Sequence, residues 1–409
     1  MSQKTVSIIT NNVECDQLTS YYSKIEKYFI ANGWEVVKSF DADLAVFAAC
    51  GTVDFLHDVI KDALAERMEK KKTYSSTIIM GCQAITYEKE FNEFFDGEMI
   101  KYGQEDKLDN LINASIKFNE IKTSHVFNAP NQKRNNDTNK LFTIIISSGC
   151  LKKCTYCQIH RAHGYINSKS IEEIKKEFTV ALQNGYKHIV LAGTDTSVYG
   201  YDINTNILTL MDSLLEIDDS VKLYVDNLNP MRLAEFKEGL YRLAKRNVFD
   251  YIHIPLQHVN NDVLKRMGRV ADFEEVYGII KELKAIAPDI VLFTDVITGF
   301  PGETEEHFND LLEFVKNDNC FYHNYINEYC EVESAPSSKM DNKIDSDLRS
   351  ERWHKLLHEF ELRKPVISES AQKIVSRIKP RYNVHEELVD ESPKHFYFCM
   401  NTYDLINED

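Results

Sequence analysis

The chain has 409 residues, of which 43% are hydrophobic and 27% are charged. This excludes a small peptide module and a wholly disordered protein, and the length fits a few compact domains or one barrel with appendages. The formal net charge of -16 disfavours partners that are held mainly through phosphate contacts, although it does not exclude nucleic acid.

The N-terminal segment and the cysteine content indicate the cellular compartment. MSQKTVSIITNNVECD has no cationic start followed by a long apolar core, and no later run approaches the roughly 18 apolar residues of a membrane span. We therefore expect a cytoplasmic protein without a membrane partner. Its nine cysteines favour reduced thiols that serve as ligands or core residues over a disulfide framework.

The N-terminal part of the chain alternates apolar runs with helix-period segments. The pattern predicts an α/β fold that begins with an open, flavodoxin-like domain over residues 1–127, followed by a polar linker over 128–140. The predicted strands are residues 6–10, 35–40, 44–50 and 76–82, and the predicted helices are residues 16–32 and 53–70.

From Leu141 the alternation of strands and helices restarts, and six repeats favour a partial (β/α)6 barrel over residues 141–340. The predicted strands are residues 142–148, 188–193, 222–228, 251–256, 290–297 and 321–329, and the predicted helices include 171–183, 233–246, 273–285 and 305–315.

The last part of the chain, residues 341–409, differs from both preceding parts. A charged amphipathic helix is predicted over residues 345–363, and the residues from Pro380 onward are acidic. We expect a short C-terminal extension that is helical at first and degenerate β at its end.

Three cysteines stand close together in GCLKKCTYCQIHRAHG, directly after the first predicted barrel strand. Cys150, Cys154 and Cys157 have the spacing C-x3-C-x2-C, which allows one loop to hold a compact metal centre. A zinc site would take a fourth ligand, for which His160 or His163 is available. A 4Fe-4S cluster held by three cysteines instead leaves one iron open to a ligand, and the carboxyl end of a barrel strand is where such folds build active sites.

This motif, with Tyr156 before its last cysteine, resembles that of the radical S-adenosylmethionine superfamily. The resemblance implies that the open iron binds S-adenosylmethionine and that an electron from the cluster cleaves it to a radical. It implies catalytic and metal-binding roles for Cys150, Cys154 and Cys157, and it places Tyr156 near the cofactor.

A second set of cysteines is scattered in sequence. Cys15, Cys50 and Cys82 each lie at or just past the carboxyl end of a predicted strand in the N-terminal domain. Because parallel strands bring these ends together, the three thiols can meet as metal ligands, although cysteine is also a common core residue.

The combination is similar to the methylthiotransferases, which carry a second three-cysteine 4Fe-4S cluster in such a domain. The resemblance covers residues 5–365 and implies a transferase that uses two 4Fe-4S clusters and takes both its radical and its methyl group from S-adenosylmethionine. The matching segments are NVECDQLTS, AACGTVDF, MGCQAIT, LAGTDTSVYGYD, IPLQHVNNDVLKRMGR and GFPGETEEHF.

Within that family, DTSVYG and IPLQHV resemble the branch that methylthiolates an aspartate of a ribosomal protein. This implies a protein or peptide substrate and an electron donor such as flavodoxin or ferredoxin. The C-terminal TRAM domain of the family is expected to be vestigial or absent, which leaves the identity of the polypeptide open. Modification of a transfer RNA adenosine and a non-catalytic iron-sulfur carrier or sensor remain alternatives.

Further residues are expected near S-adenosylmethionine by the same resemblance. For Asp195, a role as a helix cap is almost as good an explanation as a place near the cofactor. Glycines by themselves indicate only turns. His253 and His258 are expected to be core histidines with satisfied partners, and Cys320, Cys330 and Cys399 to be incidental thiols. The expected cofactor-binding residues are Tyr156, Gly193, Asp195, Gln257, Thr294, Asp295, Gly299, Gly302 and Tyr329.

Overall fold

The fold was analysed in a computed structural model. It describes residues 3–11, 16–51, 54–121, 125–126, 141–151, 153–363, 367–382 and 397–398. The chain divides into two compact units, each built on a parallel sheet. The first comprises Met1–Asn136, Gln158–Tyr165 and Pro380–Asp409, and the second comprises Asp137–Cys157 and Ile166–Lys379.

Strands and helices alternate in the first part of the chain. Their bounds are β1 Thr5–Thr10, α1 Asp16–Ala31, β2 Glu35–Val36, β3 Leu44–Ala48, α2 Asp54–Lys71, β4 Thr77–Met80, α3 Gln83–Thr86, α4 Glu88–Phe94, β5 Glu98–Ile100, α5 Asp106–Ile112 and β6 His125–Val126.

The second part continues the alternation and ends in helices. Its elements are β7 Leu141–Ser148, α6 Ile159–His163, β8 Asn167–Ser168, α7 Ile171–Gln183, β9 His188–Gly193, α8 Ile207–Leu215, β10 Lys222–Val225, α9 Leu233–Lys245, β11 Phe249–His253, α10 Asn261–Arg266, α11 Phe273–Ile286, β12 Val291–Thr298, α12 Glu305–Asn317, β13 His323–Glu328, α13 Ser346–Arg363, α14 Glu369–Tyr382 and β14 Tyr397–Phe398.

The sheet of the first unit has the parallel order β2-β1-β3-β4-β5, with β14 antiparallel against β1. This is the flavodoxin-like order, as predicted. Side chains of successive strand residues alternate between two buried faces: Ile8 packs with the α1 side of the sheet, whereas Ile9 packs with α2. Burial on both faces explains why these strands read as continuous apolar runs.

The sheet of the second unit carries six parallel strands in chain order, β7-β9-β10-β11-β12-β13, and β8 pairs antiparallel with β7. In the described residues β13 and β7 are not hydrogen-bonded to each other, so the wall is an incomplete barrel, as the six repeats predict. The helix α7 begins at a capping box in which Ser170 and Glu173 satisfy each other's backbone N–H groups.

Two helices close the second unit at its C-terminal end. The indole Nε1 of Trp353 on α13 donates to the carbonyl of Ile326 at 2.8 Å, which holds the predicted helix on β13. The second helix, α14, was not predicted; its Arg377 donates to the hydroxyl of Tyr224 at 2.9 Å. Apart from β14, the segment predicted as a vestigial domain lies outside the described residues beyond Tyr382. No helix in the described ranges has both the length and the apolar character needed to span a membrane.

Candidate functional site

The loop after β7 carries Cys150, Cys154 and Cys157 at the carboxyl end of the first barrel strand. In the described part of the chain none of the three is in a disulfide; Cys154 is buried, and the other two are half-buried. The amide of Cys157 donates to the carbonyl of Cys154 at 3.1 Å, which keeps these two cysteines on one tight turn. The sequence therefore places three available thiols where this fold builds its active sites.

The middle of this loop is fixed to a distant chain segment. The amide of Thr155 donates to the carbonyl of Met267 at 2.9 Å, and its hydroxyl donates to the carbonyl of Arg266 at 3.0 Å. The amide of Ser337 in turn donates to the carbonyl of Thr155 at 2.9 Å. The cysteine loop is therefore held in place on both sides before any metal binds.

Arg269 connects the loop to the barrel, and the sequence reasoning assigned it no role. Its Nη1 donates to the Tyr156 hydroxyl at 3.3 Å and lies 4.0 Å from Sγ of Cys154, and its Nη2 donates to the carbonyl of Pro255 at 2.6 Å. Burial alone would lower the pKa of the guanidinium. The neighbouring Tyr156 and Cys154 together have the larger effect, so the pKa is raised. A permanent positive charge thus lies beside one of the cysteines.

Asp195 contacts a different cysteine of the loop, Cys150. Its Oδ2 accepts from Sγ of Cys150 at 3.5 Å and from Nδ2 of Asn229 at 3.1 Å. Its Oδ1 caps the short turn that follows by accepting from the amide and hydroxyl of Ser197. The capping interpretation of Asp195 is therefore confirmed, and its place near S-adenosylmethionine stays a prediction. Because Oδ1 of Asn229 also accepts from Arg269 at 3.4 Å, one buried network reaches from Cys150 to Cys154.

Gly193 ends the strand that precedes Asp195, and the chain passes very close to it. A Cβ at this position would lie 2.9 Å from Oγ of Ser147. The carbonyl of Gly193 accepts from Nδ2 of Asn227 at 3.0 Å. Only glycine fits between β7 and β9 at this level without displacing Ser147.

Three of the predicted cofactor residues meet where the segment after β11 runs beside β12. The amide of Gln257 donates to the carbonyl of Asp295 at 2.7 Å, and the carbonyl of Gln257 accepts from Ile297 at 2.7 Å. The hydroxyl of Thr294 accepts from the amide of Leu256 at 3.1 Å. Gln257 has a φ of 73°, in the left-handed region that non-glycine residues rarely occupy, so its position is held at a cost in strain.

The turn with Gly299 and Gly302 is organised by a carboxylate. Glu303 is buried and accepts from the amide of Gly299 at 3.0 Å and from Nη1 of Arg352 at 2.7 Å. Gly302 has a φ of 90°, and a Cβ there would lie 2.4 Å from Nε of Arg266. Both glycines are thus required by the backbone and its neighbours.

The two histidines that flank IPLQ each face a carboxylate, as expected for core histidines. Nε2 of His253 lies 2.8 Å from Oδ2 of Asp295, and Nε2 of His258 lies 3.4 Å from Oε2 of Glu303. Burial opposes protonation of His253, but Asp295 and then Asp226 raise its pKa above the ordinary value.

Tyr329 belongs to a line of rings beside the cysteine loop. Its ring centroid lies 5.3 Å from that of Phe300, which lies 6.4 Å from that of Tyr156. The hydroxyl of Tyr329 donates to Oγ of Ser337 at 2.8 Å. The guanidinium of Arg349 lies over the Tyr329 ring, with Cζ 6.0 Å from the ring centroid.

In the first unit, Cys50 and Cys82 each follow a strand by two residues. The preceding residues Ala48 and Met80 are paired in register, so the two loops start side by side. The side chain of Asn11 bonds to both backbone groups of Cys50, at 2.9 Å and 2.8 Å. The strand-end prediction is confirmed for these two cysteines. Cys15, like Cys399, lies outside the described residues.

Among the described residues, His163 and Tyr102 lie within hydrogen-bonding distance of the Cys82 sulfur. Nε2 of His163 lies 3.5 Å from its Sγ, and the Tyr102 hydroxyl lies 3.8 Å from it. Burial lowers the pKa of His163 to about 4. The sequence had offered His163 only as a fourth zinc ligand beside Cys157, whereas the structure places it next to Cys82 in the first unit.

The two cysteine sets suit iron-sulfur clusters. Within the described ranges, no three His, Cys, Asp or Glu side chains converge on a point where they could hold one metal ion. In a four-iron cube each thiolate binds its own iron, so the thiols need not converge on one point. Donors that stabilise thiolate charge are in place, with Arg269 beside Cys154 and His163 beside Cys82.

Comparisons with known proteins agree with this chemistry. Residues 144–315 match the family model described as the radical SAM superfamily. The chain is 30% identical over 385 residues to the ribosomal protein uS12 methylthiotransferase RimO of Clostridium botulinum, a match covering 90% of this chain and 83% of that protein. It is 38% identical over 176 residues to the probable threonylcarbamoyladenosine tRNA methylthiotransferase of Pyrococcus abyssi, covering 43% of this chain and 41% of that protein.

A solved structure supports the fold. The radical S-adenosylmethionine methyltransferase TsrM from Kitasatospora setae, solved with cobalamin and a [4Fe-4S] cluster, superposes with a TM-score of 0.54. The match covers 80% of this chain and 75% of that chain at 13% identity, so it bears on the fold alone.

Proposed function

The chain belongs to the methylthiotransferase family of radical S-adenosylmethionine enzymes, and from this premise we propose that it replaces a C–H hydrogen of a ribosomal protein with a methylthio group. The observation that carries the proposal is the anchored loop with Cys150, Cys154 and Cys157, flanked by Arg269 and Asp195. The relative from Clostridium botulinum, which matches 90% of this chain, supports a protein substrate.

The cysteine loop supplies the ligands for one 4Fe-4S cluster. When bound there, the cluster offers an open iron to S-adenosylmethionine and the electron that cleaves it. Arg269 compensates the negative charge of the Cys154 thiolate and fixes the ring of Tyr156 through its hydroxyl. An external one-electron donor such as flavodoxin or ferredoxin completes the electron supply.

Asp195 changes partner when Cys150 becomes a ligand. With Cys150 bound to iron as a thiolate, Oδ2 of Asp195 would lack that donor and keep Asn229. This buried carboxylate would then be available to accept a hydrogen bond from the α-ammonium group of S-adenosylmethionine. Its other oxygen stays with Ser197, which holds the side chain in place during the exchange.

The wall around S-adenosylmethionine is formed by residues of β9 and β12 and of the loops that follow β7, β11, β12 and β13. The backbone bonds that join Gln257 to Asp295 and Ile297, and the glycine turn closed by Glu303, hold these residues in fixed positions. The wall residues are Tyr156, Gly193, Gln257, Thr294, Asp295, Gly299, Gly302 and Tyr329.

Cys15, Cys50 and Cys82 hold the second cluster, which supplies or holds the sulfur that ends in the methylthio group. The side-by-side loops after β3 and β4 support this assignment. Asn11 and Gln83 strengthen it, because both bind the backbone of Cys50 and so fix that ligand at the strand end.

The test is anaerobic incubation of the reconstituted protein with S-adenosylmethionine, a reductant, sulfide and purified ribosomal protein uS12. Mass spectrometry should detect deoxyadenosine and a protein mass gain equal to SCH3 minus H. Replacing Cys150, Cys154 and Cys157 by Ala should abolish both products, whereas replacing Cys50 and Cys82 should abolish the mass gain alone. Absence of both products from the parent protein would instead favour an iron-sulfur carrier.

A transfer RNA substrate is the second candidate, because the relative from Pyrococcus abyssi has the higher identity over its shorter match. The net charge of -16 opposes it. Binding of labelled transfer RNA that persists from low to moderate salt, together with methylthioadenosine in the digested product, would favour this candidate over the protein substrate.

A further inference from the structure

His163 ends the short helix α6, and its ring contacts a proposed ligand of the second cluster. Nε2 of His163 lies 3.5 Å from Sγ of Cys82, although the two residues are 81 positions apart in the chain. His163 follows Cys157 by only six residues, so it stands directly after the cysteine loop in sequence.

A second side chain, Tyr102, converges on the same sulfur. The Tyr102 hydroxyl lies 3.8 Å from Sγ of Cys82, and its ring stacks on His163 with centroids 4.4 Å apart and planes at 27°. The ring of Tyr21 packs against Tyr102 with centroids 4.8 Å apart and planes at 59°, and the Tyr21 hydroxyl donates to Glu105 at 2.9 Å. The His163 ring is therefore held against Cys82 by a packed aromatic stack.

The direction of both contacts is fixed once Cys82 binds iron. An iron-bound thiolate carries no proton and can only accept hydrogen bonds, so Nε2–H of His163 and the Tyr102 hydroxyl must donate to it. Hydrogen bonds to cluster sulfurs favour the reduced state, which carries one more negative charge, and so raise the reduction potential.

Cys50 is treated differently from Cys82. Asn11 and Gln83 bond to the backbone groups of Cys50 rather than to its sulfur. The backbone bonds position a ligand, whereas side-chain donors aimed at a sulfur change the electronic state of the cluster. At Cys82, side chains lie within hydrogen-bonding distance of the sulfur itself, where they can act on the electronic state of the second cluster.

We propose that His163, held by Tyr102, is a positioning residue that donates a hydrogen bond to the Cys82 thiolate and sets the reduction potential of the second cluster. The inference rests on the proposed function, because it requires a cluster on Cys15, Cys50 and Cys82. It adds a device for keeping that cluster in the redox state that sulfur transfer requires.

The test uses full-length protein in which Cys150, Cys154 and Cys157 are replaced by Ala, so that only the second cluster is present. In a potentiometric titration followed by electron paramagnetic resonance, His163→Phe keeps the stacked ring but removes the donor. At the potential where the cluster of the parent is half reduced, the ratio of reduced to oxidised cluster in His163→Phe should be about tenfold lower. This corresponds to a midpoint potential about 59 mV lower for a one-electron couple.

Three further variants separate tuning from general disturbance. His163→Gln retains a side-chain N–H and should restore part of the potential, and Tyr102→Phe should lower it less than His163→Phe does. His358→Ala removes an exposed histidine of α13 and should titrate as the parent does. A His163→Phe variant with the potential of the parent would overturn the inference.

A second measurement uses metal-free protein, so it tests the contact between His163 and Cys82 whether or not the second cluster forms. At a fixed pH near neutral, iodoacetamide should alkylate Cys82 several-fold faster in the parent than in His163→Phe, because the donor stabilises the reactive thiolate. Equal rates would overturn the contact with His163. Iron analysis of the parent reports independently whether the cluster assignment fails.

Discussion

Nη1 of Arg352 lies 2.7 Å from Oε1 of Glu303, and both side chains are buried. This ion pair joins α13 to the glycine turn after β12. The same carboxylate accepts from the amide of Gly299 and faces Nε2 of His258. A helix that follows the barrel therefore fixes the turn that forms part of the proposed cofactor wall.

Replacing Arg352 by Ala should destabilise the second unit strongly. Removal of one partner leaves the Glu303 carboxylate buried without its charge partner, a change that costs about 3–5 kcal/mol. Urea unfolding measures the loss. The control is Arg232→Ala, which removes the partner of the more exposed Glu235 and should cost less than about 1 kcal/mol. Equal losses in the two variants would contradict the role of the buried pair.

Arg269→Ala should impair the cysteine loop rather than the fold as a whole. The guanidinium holds Tyr156 and Pro255 and lies beside Cys154, and a charged hydrogen bond contributes about 1.5–3 kcal/mol. The rate of deoxyadenosine formation should fall by roughly tenfold or more. The control is Arg246→Ala, on the surface of the same unit, which should retain the parent rate. An unchanged rate in Arg269→Ala would show that this arginine has no role in the site.

Gln257 should show a conflict between stability and function. Its φ of 73° suits glycine, so Gln257→Gly should raise the free energy of unfolding by about 1 kcal/mol. Loss of its side chain should weaken binding of S-adenosylmethionine, measured by calorimetry on the reconstituted protein. Gln257→Ala should lose the same affinity without gaining stability. If the Gly and Ala variants are equally stable, the strain at this position is not real.

The pair of His253 and Asp295 should make stability depend on pH. Because the pKa of His253 is raised in the folded state, its contribution is complete below the ordinary histidine pKa of about 6.5 and is lost as pH rises through the higher folded value. The stability difference between the parent and Asp295→Asn should therefore be larger at about pH 6 than at about pH 9. Denaturant unfolding at both values measures it, and a difference that grows with pH would contradict the assignment.

Local sequence patterns predicted the elements that depend on local chemistry. The strand His188–Gly193 and the helix Ile171–Gln183 match their predicted bounds, because an apolar run and a capping box define them. The strand Glu98–Ile100 was missed, since three residues carry too little periodicity. The helix Glu369–Tyr382 was missed because this part of the chain is too short for a complete TRAM domain, which suggested a few degenerate strands there.

The site was predictable only where its residues form short motifs. Cys150, Cys154 and Cys157 were found from their spacing, and Cys50 and Cys82 from their position at strand ends. Arg352 and Glu303 are 49 positions apart, and His163 and Cys82 are 81 positions apart. Such contacts depend on how the chain folds back on itself, and no local periodicity reports them.

The number of iron atoms per chain tests most directly whether two separate cysteine sets each hold a four-iron cluster. Iron and sulfide should be quantified on the anaerobically reconstituted parent, on a Cys150→Ala, Cys154→Ala, Cys157→Ala variant and on a Cys50→Ala, Cys82→Ala variant. We predict about eight irons in the parent and about four in each variant. About four irons in the parent, unchanged when Cys50 and Cys82 are replaced, would contradict the second cluster and with it the methylthio transfer.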